Sequence, residues 1–167
     1  MTEEMVDIID ENDNVIDTVA RSEMRKKNLL HRTVYFMVLN SKGEMLIAKR
    51  SETKDIDPGV YETPGACVSH GESYELAAQR ELEEEFGIKN AELKFLFDFS
   101  YKDETRNSIS RVYSCIYDGE IIPQEEEVDE YSFVSPEELK KMVREGKKKF
   151  APQRILLLEK YFGEKLQ

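Results

Sequence analysis

The sequence predicts an α+β sandwich, a mixed β-sheet between helices, in one domain spanning 1–167. Three observations lead there. Short apolar or alternating segments lie on both sides of a helix-forming, carboxylate-rich stretch at 71–87, and a second apolar helix-forming segment closes the chain. The length of 167 residues suits one domain, because chains near 150 residues bury roughly two-thirds of their extended surface. No internal repeat, low-complexity tract or Pro/Gly/Ser-rich linker divides the chain.

The elements follow in order. Met5-Val6-Asp7-Ile8-Ile9-Asp10 and Val15-Ile16-Asp17-Thr18-Val19 flank the turn-forming Glu11-Asn12-Asp13-Asn14, a hairpin pattern. With a short helix over 22–28 it makes an N-terminal extension and connector, 1–32. Thr33-Val34-Tyr35-Phe36-Met37-Val38-Leu39 is apolar without alternation and reads as a central strand. Asn40-Ser41-Lys42-Gly43 turns the chain into Met45-Leu46-Ile47-Ala48-Lys49-Arg50 as its partner. A loop at 54–59 carries Pro58 and Gly59, and a short strand at 60–62 follows. The segment 65–71 reads as a loop, then comes the acidic helix. Segments 92–100, 109–117 and 131–134 read as strands. Ser135 caps a helix with Pro136 at its first position, and the last helix, within 150–163, turns Ile155, Leu156, Leu158 and Phe162 inward.

Composition narrows the function. The chain is 40% hydrophobic and 35% charged, with a net charge of −11, which argues against nonspecific nucleic-acid binding. An anionic small substrate stays open, since bound metal reverses a local field. No apolar run approaches the roughly 20 residues of a membrane span, and Met1-Thr2-Glu3-Glu4 is an acidic start, unlike a signal peptide. Two cysteines, Cys67 and Cys115, give no disulfide framework, so a reducing cytoplasm is the expected compartment.

The chemistry concentrates at 71–87. Between Gly71 and Gly87 nothing breaks a helix. Glu81, Glu84 and Glu85, spaced i, i+3 and i+4, converge on one face, while Ala78, Leu82 and Phe86 form another that can pack on a core. Like charges at this spacing repel, and a hard divalent cation with oxygen ligands, Mg²⁺ first, relieves them. Many acidic runs are solvated helix faces. Here Arg80 is embedded among the glutamates and a Gly-rich loop leads in.

Glu72 followed by Arg80-Glu81-Leu82-Glu83-Glu84-Glu85-Phe86-Gly87-Ile88 resembles the signature of the Nudix family, at 65–88. The one departure is Ala66 where the pattern opens with glycine, with Gly65 just before it. The resemblance covers nearly the whole chain and implies a Nudix-type α/β/α sandwich with a loop–helix–loop catalytic motif. It implies a metal-dependent hydrolase that cleaves the diphosphate of a nucleoside diphosphate linked to another moiety, or of a similar small diphosphate. By position, it implies Glu81, Glu84, Glu85 and the backbone carbonyl of Gly65 as ligands of Mg²⁺, with Mn²⁺ as a substitute. Arg80 orients those carboxylates and Glu72 supports them. The general base is a signature glutamate, Glu81 or Glu84, or a glutamate on a distant loop, where Glu127 is the choice. Arg50, Lys54 and Arg111 are the candidates for substrate phosphate, with Arg106 a further guanidinium. Self-association as a homodimer is implied by family habit.

Outside the signature, the N-terminal hairpin, Leu30-His31-Arg32 and the segment 49–61 resemble the branch containing type I isopentenyl-diphosphate isomerases and their hydrolase-like relatives. An isomerase needs a catalytic cysteine, which falls nearer Gly65 than Cys67 when counted back from Gly71. Its later glutamate falls near Ser108, and of its histidine ligands only His31 matches. The intact Arg80–Glu85 register favours the hydrolase. Isomerisation is the alternative, and a non-catalytic nucleotide sensor the second; such sensors usually lose signature glutamates. Each cation also has a plainer fate as a surface ion pair, Glu127 as an exposed loop acid, His31 as a core histidine and Cys67 as a small buried residue.

Overall fold

The computed structural model describes residues 2–167. Its elements in chain order are β1 (Met5–Ile9), β2 (Val15–Ala20), α1 (Arg21–Lys27), β3 (His31–Leu39), β4 (Met45–Arg50), β5 (Tyr61–Glu62), β6 (Gly65–Cys67), α2 (Tyr74–Phe86), β7 (Lys94–Lys102), β8 (Asn107–Ile116), β9 (Val128–Val134), α3 (Pro136–Glu145) and α4 (Pro152–Phe162). The strands form one mixed sheet, in which β3 runs parallel to β8 along its whole length and the other pairings are antiparallel.

β3 is buried on both faces, which is why it reads as a continuous apolar run. Val34, Phe36 and Val38 face a core completed by Ala77, Ala78, Leu82 and Phe86 of α2. Tyr35 and Met37 face the opposite core, with Leu139 and Val143 of α3 and Leu157 and Leu158 of α4. Helices on both faces of the sheet make the expected α/β/α arrangement.

β3 and β4 share only the pair Leu39–Met45 before they diverge, β4 continuing against β9 and β5. Because β8 takes one edge of β3 in full, β6 occupies the edge that β4 leaves, pairing Thr33–Cys67, Val34–Ala66 and Tyr35–Gly65. The segment 65–71, expected as loop, is therefore strand in its first three residues. An open edge on a buried strand would strand its backbone donors and acceptors, and β6 supplies them. Gly65 permits the approach: a Cβ there would fall 2.2 Å from Tyr35 Cδ1 and 2.7 Å from the Val34 carbonyl oxygen. Ala66, the departure from the signature, needs no left-handed backbone in this extended pairing.

α2 begins at Ser73, whose Oγ accepts from Leu76 N at 3.1 Å, and ends at Gly87 in the left-handed region at φ 70°. α3 begins at Ser135 with Pro136 at its first turn, as expected. α4 differs in phase. Leu157 and Leu158 are fully buried, whereas Ile155, Leu156 and Phe162 are only partly so. Arg154 sets the rotation, because its buried guanidinium is bonded to Glu62 Oε2 at 2.7 Å and to the Thr63 carbonyl at 3.0 Å.

The N-terminal hairpin joins the sheet through Ile8–His31 and reaches the start of the signature. Asp7, only 8% exposed, accepts from Thr18 Oγ1 at 2.9 Å and Gly71 N at 3.3 Å, and pairs with His70 Nδ1 at 2.6 Å.

Candidate active site

Arg80 organises the acidic helix. Its Nε and Nη2 donate to the two carboxylate oxygens of Glu72, each at 2.8 Å, and its Nη1 donates to Glu81 at 2.6 Å and Glu84 at 3.4 Å. Glu72 also accepts from Ser69 N at 3.0 Å, so one ion pair ties the helix to the loop before it. The hydrogen bonds from Arg80 hold the Glu72 carboxyl below its ordinary range, and the same pairing raises Arg80. Burial pushes Glu81 up despite Arg80.

Glu85 lies one turn on and takes no part in that clamp. Burial pushes its carboxyl well above the ordinary range, and the like charges of Glu62, Glu81 and Glu127 add to the shift. Glu62, 4% exposed on β5, is held by Arg154 and by Arg50 Nη1 at 3.3 Å. Glu127 is brought near by backbone bonds from Gln124 N to the Glu85 carbonyl and from Ile122 N to the Phe86 carbonyl, and its carboxylate pairs with Lys54. Among the described residues no three His, Cys, Asp or Glu side chains stand together as a ready metal site. Arg80 holds Glu81 and Glu84 instead. The donor chemistry nonetheless fits a hard cation: half-buried carboxylates in mutual repulsion, all with oxygen donors.

Beside this cluster opens a cavity of about 380 Å³. Its floor is the alternate residues His31, Thr33 and Tyr35 of β3 with Gly65–Cys67, and its walls come from α1, the 55–57 loop, the 105–108 turn and the start of α4. Five arginines line it, Arg21, Arg25, Arg50, Arg106 and Arg154, against three carboxylates, Asp55, Asp57 and Glu62. On a chain of net charge −11 this is a cationic recess. Burial would push the Cys67 thiol up, yet the hydrogen bond and charge of His31, with Arg21 and Arg25 nearby, bring it down to about 7. His31 is raised in turn, the pairing with Cys67 outweighing burial.

Glu62, Gly65 and Arg50 thus line the cavity, and Glu62, Glu81, Glu127 and Arg50 are the charges that surround Glu85, with Glu84 exposed on the same helix. Lys54 is spent on Glu127 and does not line the recess. Arg111 is a correction. It projects to the α2 face, where Asp98 takes both arms of its guanidinium at 2.8 and 3.0 Å and the Tyr74 ring lies 4.4 Å away. Strand alternation puts it opposite Ser110 and Thr33, away from the cavity. Arg106 lines the recess but is held by Asp57 at 2.7 Å and Asp103 at 3.1 Å. Glu62, Arg154, Arg21 and Arg25 were not expected in the site. Only the first carried any signal, as an acid beside Pro64 and Gly65 that a short strand would turn inward.

Residues 29–153 match the family described as NUDIX domain. A Nudix hydrolase of Yersinia pestis is 38% identical over 137 residues, 81% of this chain and 75% of that protein. The Nudix hydrolase YfcD of Escherichia coli K12 is 36% identical over the same length, 81% of this chain and 76% of that one. Among solved structures, DR0079 from Deinococcus radiodurans superposes with a TM-score of 0.81 at 26% identity, covering 94% of this chain and 98% of that one. No described helix is long and apolar enough to cross a membrane.

Proposed function

This chain belongs to the NUDIX domain family and is a Nudix hydrolase, and we propose that it cleaves, with Mg²⁺, the diphosphate of a nucleoside diphosphate linked to another moiety or of a similar small diphosphate. The observation that carries the reading is the group of carboxylates around Glu85, where Glu62, Glu81 and Glu127 crowd its charge, beside a recess lined by Glu62 and five arginines.

In this reading Glu81, Glu84, Glu85 and the Gly65 carbonyl hold the cation. When bound, Mg²⁺ (or Mn²⁺) neutralises the diphosphate oxygens and lowers the pKa of bound water. The chain's own groups do the rest. Arg80 keeps the carboxylates aimed by charge-assisted hydrogen bonds, with Glu72 holding Arg80 from behind. Arg50, fixed by the Ile56 carbonyl at 2.9 and 3.1 Å, offers its remaining donors to a phosphate oxygen. Glu127 accepts the proton of the attacking water, and a substrate phosphate that draws Lys54 away frees it to do so. Glu81 and Glu84 remain candidates for that base.

A panel of nucleotide sugars, dinucleoside polyphosphates, NADH and isopentenyl diphosphate, each with Mg²⁺ and with Mn²⁺, tests the reading. Folded Glu84→Gln or Glu85→Gln protein that keeps full pyrophosphatase activity sinks it. Glu127→Gln and Glu81→Gln pH–rate profiles tell which one supplies the base, since only its loss removes the acidic limb. A second reading, isopentenyl-diphosphate isomerisation, draws on the Cys67–His31 pair facing the recess. Against it stand the intact signature and Ser108 in place of a glutamate, and failure to turn over isopentenyl diphosphate disposes of it.

A further inference from the structure

Of the five arginines in the recess, four are engaged. Arg50 and Arg154 hold Glu62, Arg106 holds Asp57 and Asp103, and Arg21 Nη1 donates to Glu4 at 2.9 Å. Arg25 alone has no hydrogen-bonded or ion-paired side-chain partner among the described residues, in a chain where 35 acids outnumber 24 lysines and arginines. Arg21 and Arg25 are four residues apart on α1 and so share one helix face. Arg25 is the more exposed of the two, and partial desolvation with the neighbouring Arg21 charge pushes it down against the pull of Cys67 and Asp55. Arg21 keeps a buried Nε with no acceptor. Two guanidiniums accept mutual repulsion and an unmet donor on the wall of a cavity.

They stand at a particular end of it. Arg154 lies 4.3 Å over the Tyr35 ring, beside Gly65 and Glu62, where the carboxylates gather. Arg21 and Arg25 gather instead around the charges of Cys67 and His31, at the start of β3. Tyr35 lies four residues along β3 from His31, about 13 Å at the ordinary rise per residue. That is longer than a diphosphate unit. A diphosphate at the Glu62–Gly65 end leaves the Arg21–Arg25 end to the group it carries.

We propose that Arg21 and Arg25 form a second anion subsite, which takes a phosphate monoester borne by the moiety attached to the diphosphate. The subsite rests on the diphosphate reading for its orientation. Guanidinium pairs suit phosphate because their fixed forks meet two oxygens at once, and an anion there supplies the acceptor that Arg21 Nε lacks. Asp55 lines the same wall and its charge acts on Arg25, but it forms no ion pair with either arginine among the described residues, so the forks stay open to an anion.

The test is calorimetric binding to metal-free protein, so that it does not depend on turnover. The probes are two matched pairs that differ by one phosphate monoester: NADH with NADPH, and dephospho-coenzyme A with coenzyme A. The phosphorylated member of each pair binds about tenfold more tightly, the scale of one charged hydrogen-bonded contact. Arg25→Gln brings the two members within twofold by weakening only the phosphorylated one, and Arg25→Lys restores part of the difference. Equal affinities in the wild-type protein, equal weakening of both members by Arg25→Gln, or no binding of any probe overturns the subsite. Hydrolysis of the panel with Mg²⁺ but no discrimination removes the subsite and leaves the catalytic reading. Discrimination without any hydrolysis does the reverse.

Discussion

Arg80 and Glu72 meet through two parallel hydrogen bonds of 2.8 Å, one from Nε and one from Nη2. Eight residues separate them, so the pair fastens the body of α2 to the loop that carries Ser69 and Gly71. The same guanidinium aims Glu81 and touches Glu84. Holding the acidic helix and orienting its carboxylates are therefore one job done by one side chain.

Arg80→Ala is expected to lower unfolding free energy by about 1.5–3 kcal/mol at pH 7, the scale of hydrogen bonds to a charged group. Both side chains are less than a third exposed, at 29% and 20%, so solvent screening discounts this only modestly. The pH dependence follows from the depressed Glu72 carboxyl. Its contribution is fully present above the unfolded value of about 4.3 and is lost as pH falls through the lower folded value. Urea denaturation of the two proteins from pH 6 to pH 2 should therefore converge at the acid end. Parallel curves throughout would reject the pair as a source of acid sensitivity.

Glu85 behaves in the opposite sense. Burial and three neighbouring carboxylates raise it, so its ionisation destabilises the metal-free fold. The penalty is absent below the unfolded pKa, grows as pH rises, and is complete above the folded one. Glu85→Gln is thus expected to be more stable than wild type at pH 7–8 and to match it below about pH 4. Adding Mg²⁺ at a hundred times its Kd should stabilise the wild type by about 2.7 kcal/mol and raise Tm by roughly 5–10 °C, with EDTA reversing it. Differential scanning calorimetry reads both effects. Equal Mg²⁺ stabilisation of the variant would remove Glu85 from the ligand set.

The N-terminal hairpin lies outside the NUDIX match at 29–153, yet Asp7 holds the loop ahead of α2 through His70 and Gly71 N. Asp7→Ala leaves that amide and Thr18 Oγ1 without their acceptor, at a cost of roughly 1–3 kcal/mol. Limited proteolysis should cut within 65–72 faster in the variant than in wild type. Unchanged cleavage there would make the hairpin a passive appendage.

Pattern sufficed where one physical requirement dominated. The doubly buried β3 had to be an apolar run, and α2 had to place Ala78, Leu82 and Phe86 on one side. The glutamate register was legible because helix periodicity alone puts those carboxylates together. What escaped depended on partners far apart in the chain. Arg111 lies on the wrong face of β8 for the recess, and only its pairing with β3 reveals that. Glu62 and Arg154 are 92 residues apart, and the ion pair that rotates α4 has no local signal. α1 reads from sequence as a connector, and its arginines gain meaning only when the hairpin folds it over the floor of the cavity.

The two cysteines offer a test of the recess itself. Cys67 faces His31 and has its thiol brought down to about 7, whereas burial pushes Cys115 up to about 11. Because the thiolate is the nucleophile, iodoacetamide at pH 7.5 should alkylate Cys67 and leave Cys115 largely untouched, as site-resolved mass spectrometry reads it. The Cys67 rate should rise with pH through a midpoint near 7 and level off above it. In His31→Ala burial is opposed only by the more distant charges of Arg21 and Arg25, so the Cys67 thiol rises and the rate at pH 7 should fall. A rate insensitive to His31 would mean that Arg21 and Arg25, the other charges beside the sulfur, govern it instead. Repeating the measurement in Arg25→Gln ranks the two causes: the rate should fall less there than in His31→Ala, because His31 acts on the sulfur more strongly than Arg25 does.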